Sequence, residues 1–210
     1  MSTQHAGIPF ALGETTHLLY LHGFRSSPQS TKAQQMAARI AVDFPTVTWW
    51  CPQLPPSPRE AADLIGQGTL LWPRESMAVI GSSLGGFYAT WFAEQWGCKA
   101  VMLNPAVHAP RDLAKYIGEH TSWHNPAEKF VFKALYVDEL RDLECVGLVR
   151  PENYLAIIAR GDEVLDWREM SARYAGARIR LLEGGDHALS DFEDHLEDIL
   201  SFLKISSPAI

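Results

Sequence analysis

The sequence has few cysteines, no excess of positive charge and no long apolar run. Its 210 residues include three cysteines, Cys51, Cys98 and Cys145, which are odd in number and far apart. Such usage argues against a disulfide framework or a zinc site and is typical of reduced, structural thiols. The net charge of −7 argues against nucleic acid or an anionic membrane as the main partner. No apolar run approaches the ~20 residues that a membrane span needs.

The amino-terminal segment lacks the marks of a targeting sequence. The first twenty residues carry no Lys or Arg, and the apolar stretch 8–12 is short and contains Pro9. We therefore expect no signal peptide and a loosely held segment over residues 1–15. A composition of 47% hydrophobic and 20% charged residues predicts a globular chain. The expectation is one α/β domain over residues 1–210 in the cytoplasm, with the oligomeric state left open.

Six short apolar or β-branched runs alternate with helical patterns. They predict strands at residues 17–21, 47–51, 78–80, 99–103, 154–159 and 178–182. This alternation favours a mainly parallel six-stranded sheet flanked by helices, because each parallel crossover needs a helix to return. Residues 106–150 break the alternation and predict a mostly helical cap insertion over the site. Ser190 stands three residues before Glu193, a capping-box spacing that predicts the start of the last helix.

A candidate nucleophile lies between the third strand and the helix that follows it. The segment reads Gly81-Ser82-Ser83-Leu84-Gly85, and strand, sharp turn and helix are the context of a nucleophile elbow. The positions two before and two after the nucleophile must be Gly, because a side chain there would clash with the neighbouring strand or helix. Ser83 meets this requirement. Ser82 would need Gly at positions 80 and 84, where Ile and Leu stand.

A serine hydroxyl is a weak nucleophile until a base, held in one tautomer, accepts its proton. His187 lies on a glycine-rich loop between the last strand and the last helix, where it can point at Ser83. His195 is held inside the final helix and is a poor candidate. His120 and His124 have an i, i+4 spacing that suggests a metal, but no supporting motif accompanies them, so we expect no metal site.

The acid that orients the base should follow a strand and precede the histidine. Asp162 comes directly after the fifth strand, and Asp166, at the start of a helix, remains the alternative. Asp186 adjoins His187 too closely for a sound geometry. The order Ser, Asp, His is the one that α/β-hydrolases use.

Backbone N–H groups are expected to hold the oxyanion that forms when a serine attacks an ester. The N–H of Leu84 lies at the start of the elbow helix, and the N–H of Phe24 follows the first strand. Gly23 lets that loop approach the elbow and His22 supports it through hydrogen bonds, although an ordinary βα turn is the alternative. Arg25 either meets an anionic substrate group such as a phosphate or is a solvated surface arginine. Four cap aromatics either line an apolar pocket or seal the insertion onto the sheet: Trp123, Phe130, Phe132 and Tyr136.

The motifs at the predicted strand ends also occur together in one known family. They are His22-Gly23-Phe24-x-Ser26-Ser27-Pro28-x-Ser30, Pro52-Gln53-Leu54-Pro55-Pro56, Gly81-Ser82-Ser83-Leu84-Gly85-Gly86, Asn104-Pro105-Ala106-Val107, Gly161-Asp162-Glu163-Val164-Leu165-Asp166 and Gly184-Gly185-Asp186-His187-Ala188. From about residue 18 to residue 203 the chain resembles the YqiA-type (UPF0227-like) esterases, a small bacterial branch of the α/β-hydrolase superfamily. The resemblance implies an α/β-hydrolase fold and an esterase or thioesterase without a metal or organic cofactor, acting on acyl esters or thioesters, with acyl-CoA as one candidate. It maps nucleophile, acid and base onto Ser83, Asp162 and His187.

The sequence thus predicts a serine hydrolase that forms an acyl-enzyme on a small-molecule ester or thioester. The same residues would serve an acyltransferase if water were kept out. A rival of another class is a catalytically silent scaffold that binds a small molecule or a protein.

Overall fold

A computed structural model of the protein describes residues 13–123, 125, 127 and 129–206. Within these residues the strands are β1 (His17–Leu21), β2 (Thr48–Trp50), β3 (Met77–Ser82), β4 (Lys99–Leu103), β5 (Gly118–Thr121), β6 (Lys129–Phe132), β7 (Tyr154–Ala159) and β8 (Arg178–Leu182). The helices are α1 (Thr31–Asp43), α2 (Pro58–Gly68), α3 (Leu84–Trp96), α4 (Ala109–Leu113), α5 (Ala134–Asp142), α6 (Trp167–Arg173) and α7 (Leu196–Leu203). Short 3₁₀ turns span Arg74–Ser76, Ala114–Tyr116, Pro151–Asn153 and Phe192–His195.

The main sheet has six strands in the spatial order β2-β1-β3-β4-β7-β8, and every neighbouring pair is parallel. The predicted mainly parallel six-stranded sheet is confirmed. The register pairs Leu21 with Gly81 and Ser82 with Leu103, so that β1, β3 and β4 end side by side. Their carboxyl ends therefore meet at one edge, which is where open α/β sheets bind ligands.

Helices cover both faces of the sheet, and the alternation along β1 shows how. Leu18 and Tyr20 point into a core that they share with Met36 of α1 and with residues of α7. Leu19 and Leu21 point into the opposite core, which α2, α3 and α6 complete. All six residues of β3 are buried. A central parallel strand is covered on both sides, which is why it reads as a continuous apolar run.

The insertion over residues 106–150 contains a β-hairpin, so the prediction of a mostly helical cap is wrong for this part. β5 pairs antiparallel with β6, between α4 and α5, and Gly118 lies opposite Phe132. Phe130 and Phe132 are more buried than Lys129 and Val131. This period of two suits a strand with one buried face. Each strand has four residues, a short signal among the charges and aromatics of this segment.

The last helix begins later than predicted. α7 starts at Leu196, after the 3₁₀ turn, and Ser190 does not cap it. The backbone N–H and the hydroxyl of Ser190 instead donate to the carboxylate of Asp186, at 2.9 and 2.6 Å. Because the side chain of Ser190 donates to an acceptor in its own loop, it does not cap the helix, and the capping-box prediction is wrong.

The segment before β1 is held more firmly than predicted where the structure describes it. Thr15 is buried, and its hydroxyl donates to the carbonyl of Leu203 at 2.5 Å. The rest of the predicted loose segment, residues 1–12, and the candidate metal ligand His124 lie outside the described residues. No helix in the described part of the chain is long and apolar enough to cross a bilayer.

Candidate active site

Ser83 occupies the turn between β3 and α3 in a backbone conformation that residues other than Gly rarely adopt. Its φ is 54° and its ψ is −121°. Both glycines of the motif are needed there. A Cβ on Gly81 would lie 2.2 Å from the carbonyl oxygen of Gly85, and a Cβ on Gly85 would lie 1.9 Å from that of Leu21. The turn is therefore closed by two backbone contacts that leave no room for a methyl group, the geometry that a nucleophile elbow requires.

Ser83, His187 and Asp162 form a hydrogen-bonded chain. The Nε2 atom of His187 lies 2.9 Å from Oγ of Ser83. The Nδ1 atom of the same ring lies 2.7 Å from Oδ2 of Asp162. A carboxylate accepts only, so Nδ1 carries the proton and Nε2 is left to accept the serine proton. The three residues come from three strand ends, and the structure brings them together.

The other two aspartates considered from the sequence point elsewhere. Asp166 caps α6 by accepting the N–H of Arg168 at 2.8 Å. The Asp186 carboxylate accepts hydrogen bonds from the backbone N–H and the hydroxyl of Ser190, and these bonds hold the pKa of Asp186 below its usual range. The Asp162 side chain is fully buried, and its Oδ1 accepts the N–H groups of Val164 and Leu165, each at 2.8 Å. These two hydrogen bonds orient the carboxylate so that Oδ2 faces His187.

Four contacts hold the loop that carries His187. The N–H of His187 donates to Glu163 at 3.1 Å. The side-chain amide of Asn104 donates to the carbonyls of Asp186 and His187, at 2.9 and 3.2 Å. Lys32 donates to the carbonyl of Ala188 through Nζ. The imidazole is therefore anchored through its backbone as well as through Asp162.

Burial lowers the pKa of Lys32 to about 8, although the nearby carboxylates of Asp186 and Asp162 act in the opposite direction. An ammonium ion beside the loop of His187 thus loses its charge more readily than a surface lysine does.

The loop after β1 lies against Ser83. A Cβ on Gly23 would lie 3.1 Å from Cβ of Ser83 and 3.6 Å from its Oγ. The buried ring of His22 lies 2.9 Å from the carbonyl of Gly23 through Nδ1, and its Nε2 accepts the N–H of Leu54 at 3.1 Å. The expectation that His22 supports this loop by hydrogen bonds agrees with these contacts. Phe24 and Leu84, the residues whose N–H groups were predicted to face an oxyanion, directly follow Gly23 and Ser83.

Arg25 binds the cap hairpin, so the interpretation of Arg25 as a solvated surface arginine, one of the two considered, is wrong. Its Nε donates to the carbonyl of Thr121 at 2.9 Å and its Nη2 to the hydroxyl at 3.3 Å. Its guanidinium carbon lies 4.1 Å from the centre of the Trp123 ring. The backbone N–H of Trp123 donates to the carbonyl of Arg25 at 2.8 Å. These contacts link the β1 loop to the cap. They engage the guanidinium group of Arg25, which was considered for binding an anion.

The side chain of Phe24 is the centre of an aromatic cluster. Its ring lies 5.4–5.8 Å from the rings of Tyr116, His120, Phe130 and Phe132. Phe130 and Phe132 pack against the β1 loop. They therefore fit the interpretation in which the cap aromatics seal the insertion onto the sheet, and not the one in which they line a pocket. Tyr136 packs against Phe132 at 5.5 Å. Trp123 is different, because its side chain is largely exposed beside Arg25.

Two residues of this site, Asn104 and Lys32, were not predicted from the sequence. Asn104 follows β4 at the same sheet edge as Ser83 and Asp162, and a polar residue at that position is a usable signal. Lys32 lies in α1 and gives no such signal. His120 lies on β5, not on a helix, so the i, i+4 argument for a metal does not apply. Among the described residues no group of three His, Cys, Asp or Glu is placed to hold a metal ion.

A family model described as an uncharacterised protein family, UPF0227, matches residues 17–204. The chain belongs to the UPF0227 family. The resemblance inferred from the motifs is thereby confirmed over the whole span on which it was based.

Solved structures place this UPF0227 member among the α/β-hydrolases in fold. It is similar to a structure of the metagenome-derived lipolytic enzymes LipS and LipT, with 19% identity, a TM-score of 0.65, and coverage of 92% of this chain and 95% of that one. Mouse alpha/beta hydrolase domain-containing protein 10 matches at 13% identity and TM-score 0.66, over 91% and 92% of the two chains. The esterase domain of a Rhodothermus marinus protein matches at 15% identity and TM-score 0.64, over 93% and 89%. At these identities the likeness establishes the α/β-hydrolase fold alone.

Proposed function

We propose that this protein is a serine hydrolase that cleaves carboxylic acyl esters or acyl thioesters through an acyl-enzyme intermediate. The observation that supports this proposal most is the position of His187 between two partners. One ring nitrogen lies 2.9 Å from the Ser83 hydroxyl and the other 2.7 Å from the Asp162 carboxylate. This is the arrangement in which a histidine can activate a serine.

In the first step the Ser83 oxygen attacks the carbonyl carbon of the substrate while Nε2 of His187 takes the hydroxyl proton. Asp162 holds Nδ1–H and stabilises the imidazolium that forms. The proton on Nε2 then passes to the departing alcohol or thiol as the tetrahedral intermediate collapses. The product of this step is an acyl group bound to Ser83.

The charge that develops on the carbonyl oxygen needs donors already in place. We assign this role to the N–H groups of Leu84 and Phe24. Leu84 is the first residue of α3, where N–H groups have no partner within the helix and the helix dipole favours negative charge. Phe24 directly follows Gly23, where a Cβ would lie 3.1 Å from Cβ of Ser83, and this close approach supports the assignment of its N–H.

In the second step a water molecule gives its proton to His187 and attacks the acyl-enzyme, which releases the acid and restores Ser83. These steps need no metal or organic cofactor. Ester cleavage as the substrate class is supported by the fold neighbours named as lipolytic enzymes and as an esterase domain. Thioesters, acyl-CoA included, enter the proposal through the resemblance to the YqiA-type esterases.

A non-catalytic scaffold explains the site less well. A binding protein has no need of a serine at φ 54°, and such strain is kept where the surrounding structure enforces it for a purpose.

A fluorophosphonate probe tests the proposal, because it labels a serine only when a base activates it. We expect labelling of the folded wild type, its loss in Ser83→Ala and its retention in Ser82→Ala, a matched change one residue away. A folded wild type that takes up no probe would support the scaffold instead. A panel of p-nitrophenyl esters and acyl-CoAs of graded chain length then distinguishes ester from thioester.

A further inference from the structure

Asn104 lies between the proposed nucleophile and the proposed base. It follows β4 directly, and the carbonyl of the preceding residue, Leu103, accepts the N–H of Ser83 at 3.0 Å. The N–H of Asn104 donates to the carbonyl of Ile157 at 3.0 Å. Its φ is 40°, a conformation that Asn tolerates better than most residues do. Asn104 is fully buried.

The side-chain amide of Asn104 joins the loop of His187 to the sheet. Nδ2 donates to the carbonyls of Asp186 and His187, at 2.9 and 3.2 Å. Oδ1 accepts the N–H of Ala159, the last residue of β7, at 2.8 Å. Both hydrogens and the oxygen of one amide are thus used, and a hydrocarbon of the same shape would remove three hydrogen bonds, including the one that the buried N–H of Ala159 makes.

We infer that Asn104 is a positioning residue that fixes the backbone of His187 relative to Ser83. The inference rests on the proposed function. The loop needs such an anchor, because it has a left-handed residue on either side of the histidine, Gly185 at φ 84° and Leu189 at φ 50°. The hydrogen bonds of the Asn104 side chain all go to backbone groups and not to the reacting atoms of Ser83 or His187. Asn104 acts through the carbonyl of His187, and misplacing a reacting group by about 1 Å can lower the rate by about 10²-fold.

Asn153 offers a matched control for a role that is only structural. It is also buried, and its Nδ2 donates to the backbone carbonyl of Gly97 at 3.2 Å. It directly precedes β7, at the sheet edge opposite the candidate active site. Asn153→Asp makes the same chemical change to a buried backbone-bound amide, away from His187.

The test compares Asn104→Asp with Asn153→Asp by steady-state kinetics on a p-nitrophenyl ester. Asp keeps the size of Asn and the acceptor for Ala159, but it faces the carbonyls of Asp186 and His187 with an oxygen. For Asn104→Asp we expect kcat to fall about 10²-fold with KM unchanged. Asn153→Asp should keep the wild-type kcat, whatever it does to the unfolding temperature.

A spectroscopic measurement separates positioning from stability. A proton shared between Nδ1 of His187 and Asp162 gives a low-field NMR resonance, which is assigned by its absence in His187→Ala. We expect this resonance to weaken or vanish in Asn104→Asp and to persist in Asn153→Asp. Asn104→Gly accepts the positive φ, removes the amide without adding a charge, and replaces Asn104→Asp if that variant does not fold.

Wild-type kcat and an intact resonance in the folded Asn104 variants would overturn the inference, as would equal losses in the Asn104 and Asn153 variants. Failure of the proposed function has a different signature, because the wild type itself would then turn over no ester and take up no fluorophosphonate. The resonance would still report whether Asn104 holds His187 in place.

Discussion

Nδ1 of His187 lies 2.7 Å from Oδ2 of Asp162, whereas Asp166, four residues further along, accepts the N–H of Arg168 at the start of α6. The sequence favours Asp162 as the acid and keeps Asp166 as the alternative, and this geometry agrees with Asp162. An acid that holds Nδ1–H keeps Nε2 free to accept a proton.

Asp162→Asn should lower kcat by about 10⁴-fold, because an amide at this position stabilises the wrong tautomer of the imidazole. Steady-state kinetics on a p-nitrophenyl ester measure the effect. Asp166→Asn is the matched control and should leave kcat near the wild-type value, since Asn caps a helix about as well as Asp. If Asp166→Asn were the damaging change, the assignment of the acid would be wrong.

Gly85→Ala should unfold the protein or lower its free energy of unfolding by more than about 4 kcal/mol, a loss typical of severe steric conflict. The added methyl would lie 1.9 Å from the backbone oxygen of Leu21, and neither backbone can move without displacing β1 or α3. Urea unfolding followed by circular dichroism measures the change.

Gly66→Ala provides the control for this prediction. Gly66 lies inside α2, and a Cβ there meets nothing within 4 Å. We expect this variant to gain about 0.5–1 kcal/mol, the usual benefit of replacing Gly in a helix interior. Wild-type stability and wild-type probe labelling in Gly85→Ala would contradict the elbow geometry.

Arg25→Lys should loosen the cap hairpin although it keeps the charge. Lys cannot reproduce the two donors that Arg25 directs at Thr121, and it stacks less well on Trp123. Loss of a contact worth ~0.5–1 kcal/mol predicts amide hydrogen exchange about 2- to 5-fold faster in β5 and β6. Hydrogen-exchange mass spectrometry measures this change.

Arg74→Lys is the control for the hairpin, because Arg74 makes a comparable contact, 4.4 Å from the centre of the Trp96 ring, outside the cap. It should leave exchange in the hairpin unchanged. Equal exchange in Arg25→Lys and wild type would mean that Arg25 does not hold the cap.

Lys32 should make the free energy of unfolding depend on pH in the alkaline range. Burial lowers its pKa to about 8 in the folded protein, from 10.5, so between these values the unfolded chain binds more protons. The Lys32 contribution to the free energy of unfolding therefore rises with pH across this window. The stability of the wild type relative to Lys32→Met, measured by urea unfolding, should increase from about pH 8 to about pH 10. A flat or falling difference would contradict the lowered pKa.

The elbow was predictable because its determinants are local. Gly81 and Gly85 stand at fixed distances from Ser83 in the sequence, and their backbone contacts follow from one sharp turn. The convergence of Asp162 and His187 on Ser83 was predictable for another reason. Each follows a predicted parallel strand, and the carboxyl ends of such strands share one edge of a sheet.

The cap was predicted poorly because its structure depends on distant partners. The hairpin strands have four residues each, and their buried face is defined by Phe24, which comes from the loop after β1. The contact of Arg25 with Thr121 and Trp123 has the same origin. No periodicity within residues 106–150 reports what the segment packs against.

Asn104 and Ser190 illustrate two other limits. From the sequence, Asn104 only marks the end of a strand. Its side-chain amide donates to the carbonyls of Asp186 and His187, in a loop far along the chain. Ser190 matches a capping box in its spacing to Glu193, but Asp186, in the preceding loop, accepts both its N–H and its hydroxyl. Local spacing predicts a hydrogen bond only when no better partner competes for the same group.

In the proposed mechanism the hydroxyl of Ser83 carries the acyl group between the two halves of the reaction. Acid quenching of the enzyme during turnover of a p-nitrophenyl ester, followed by peptide mapping in a mass spectrometer, tests it most directly. We expect a single acyl adduct on the peptide that contains Ser83, and we expect this adduct to be lost in Ser83→Ala. Ester turnover with the adduct on another residue, or with no adduct under conditions where release of the acid is rate-limiting, would contradict it.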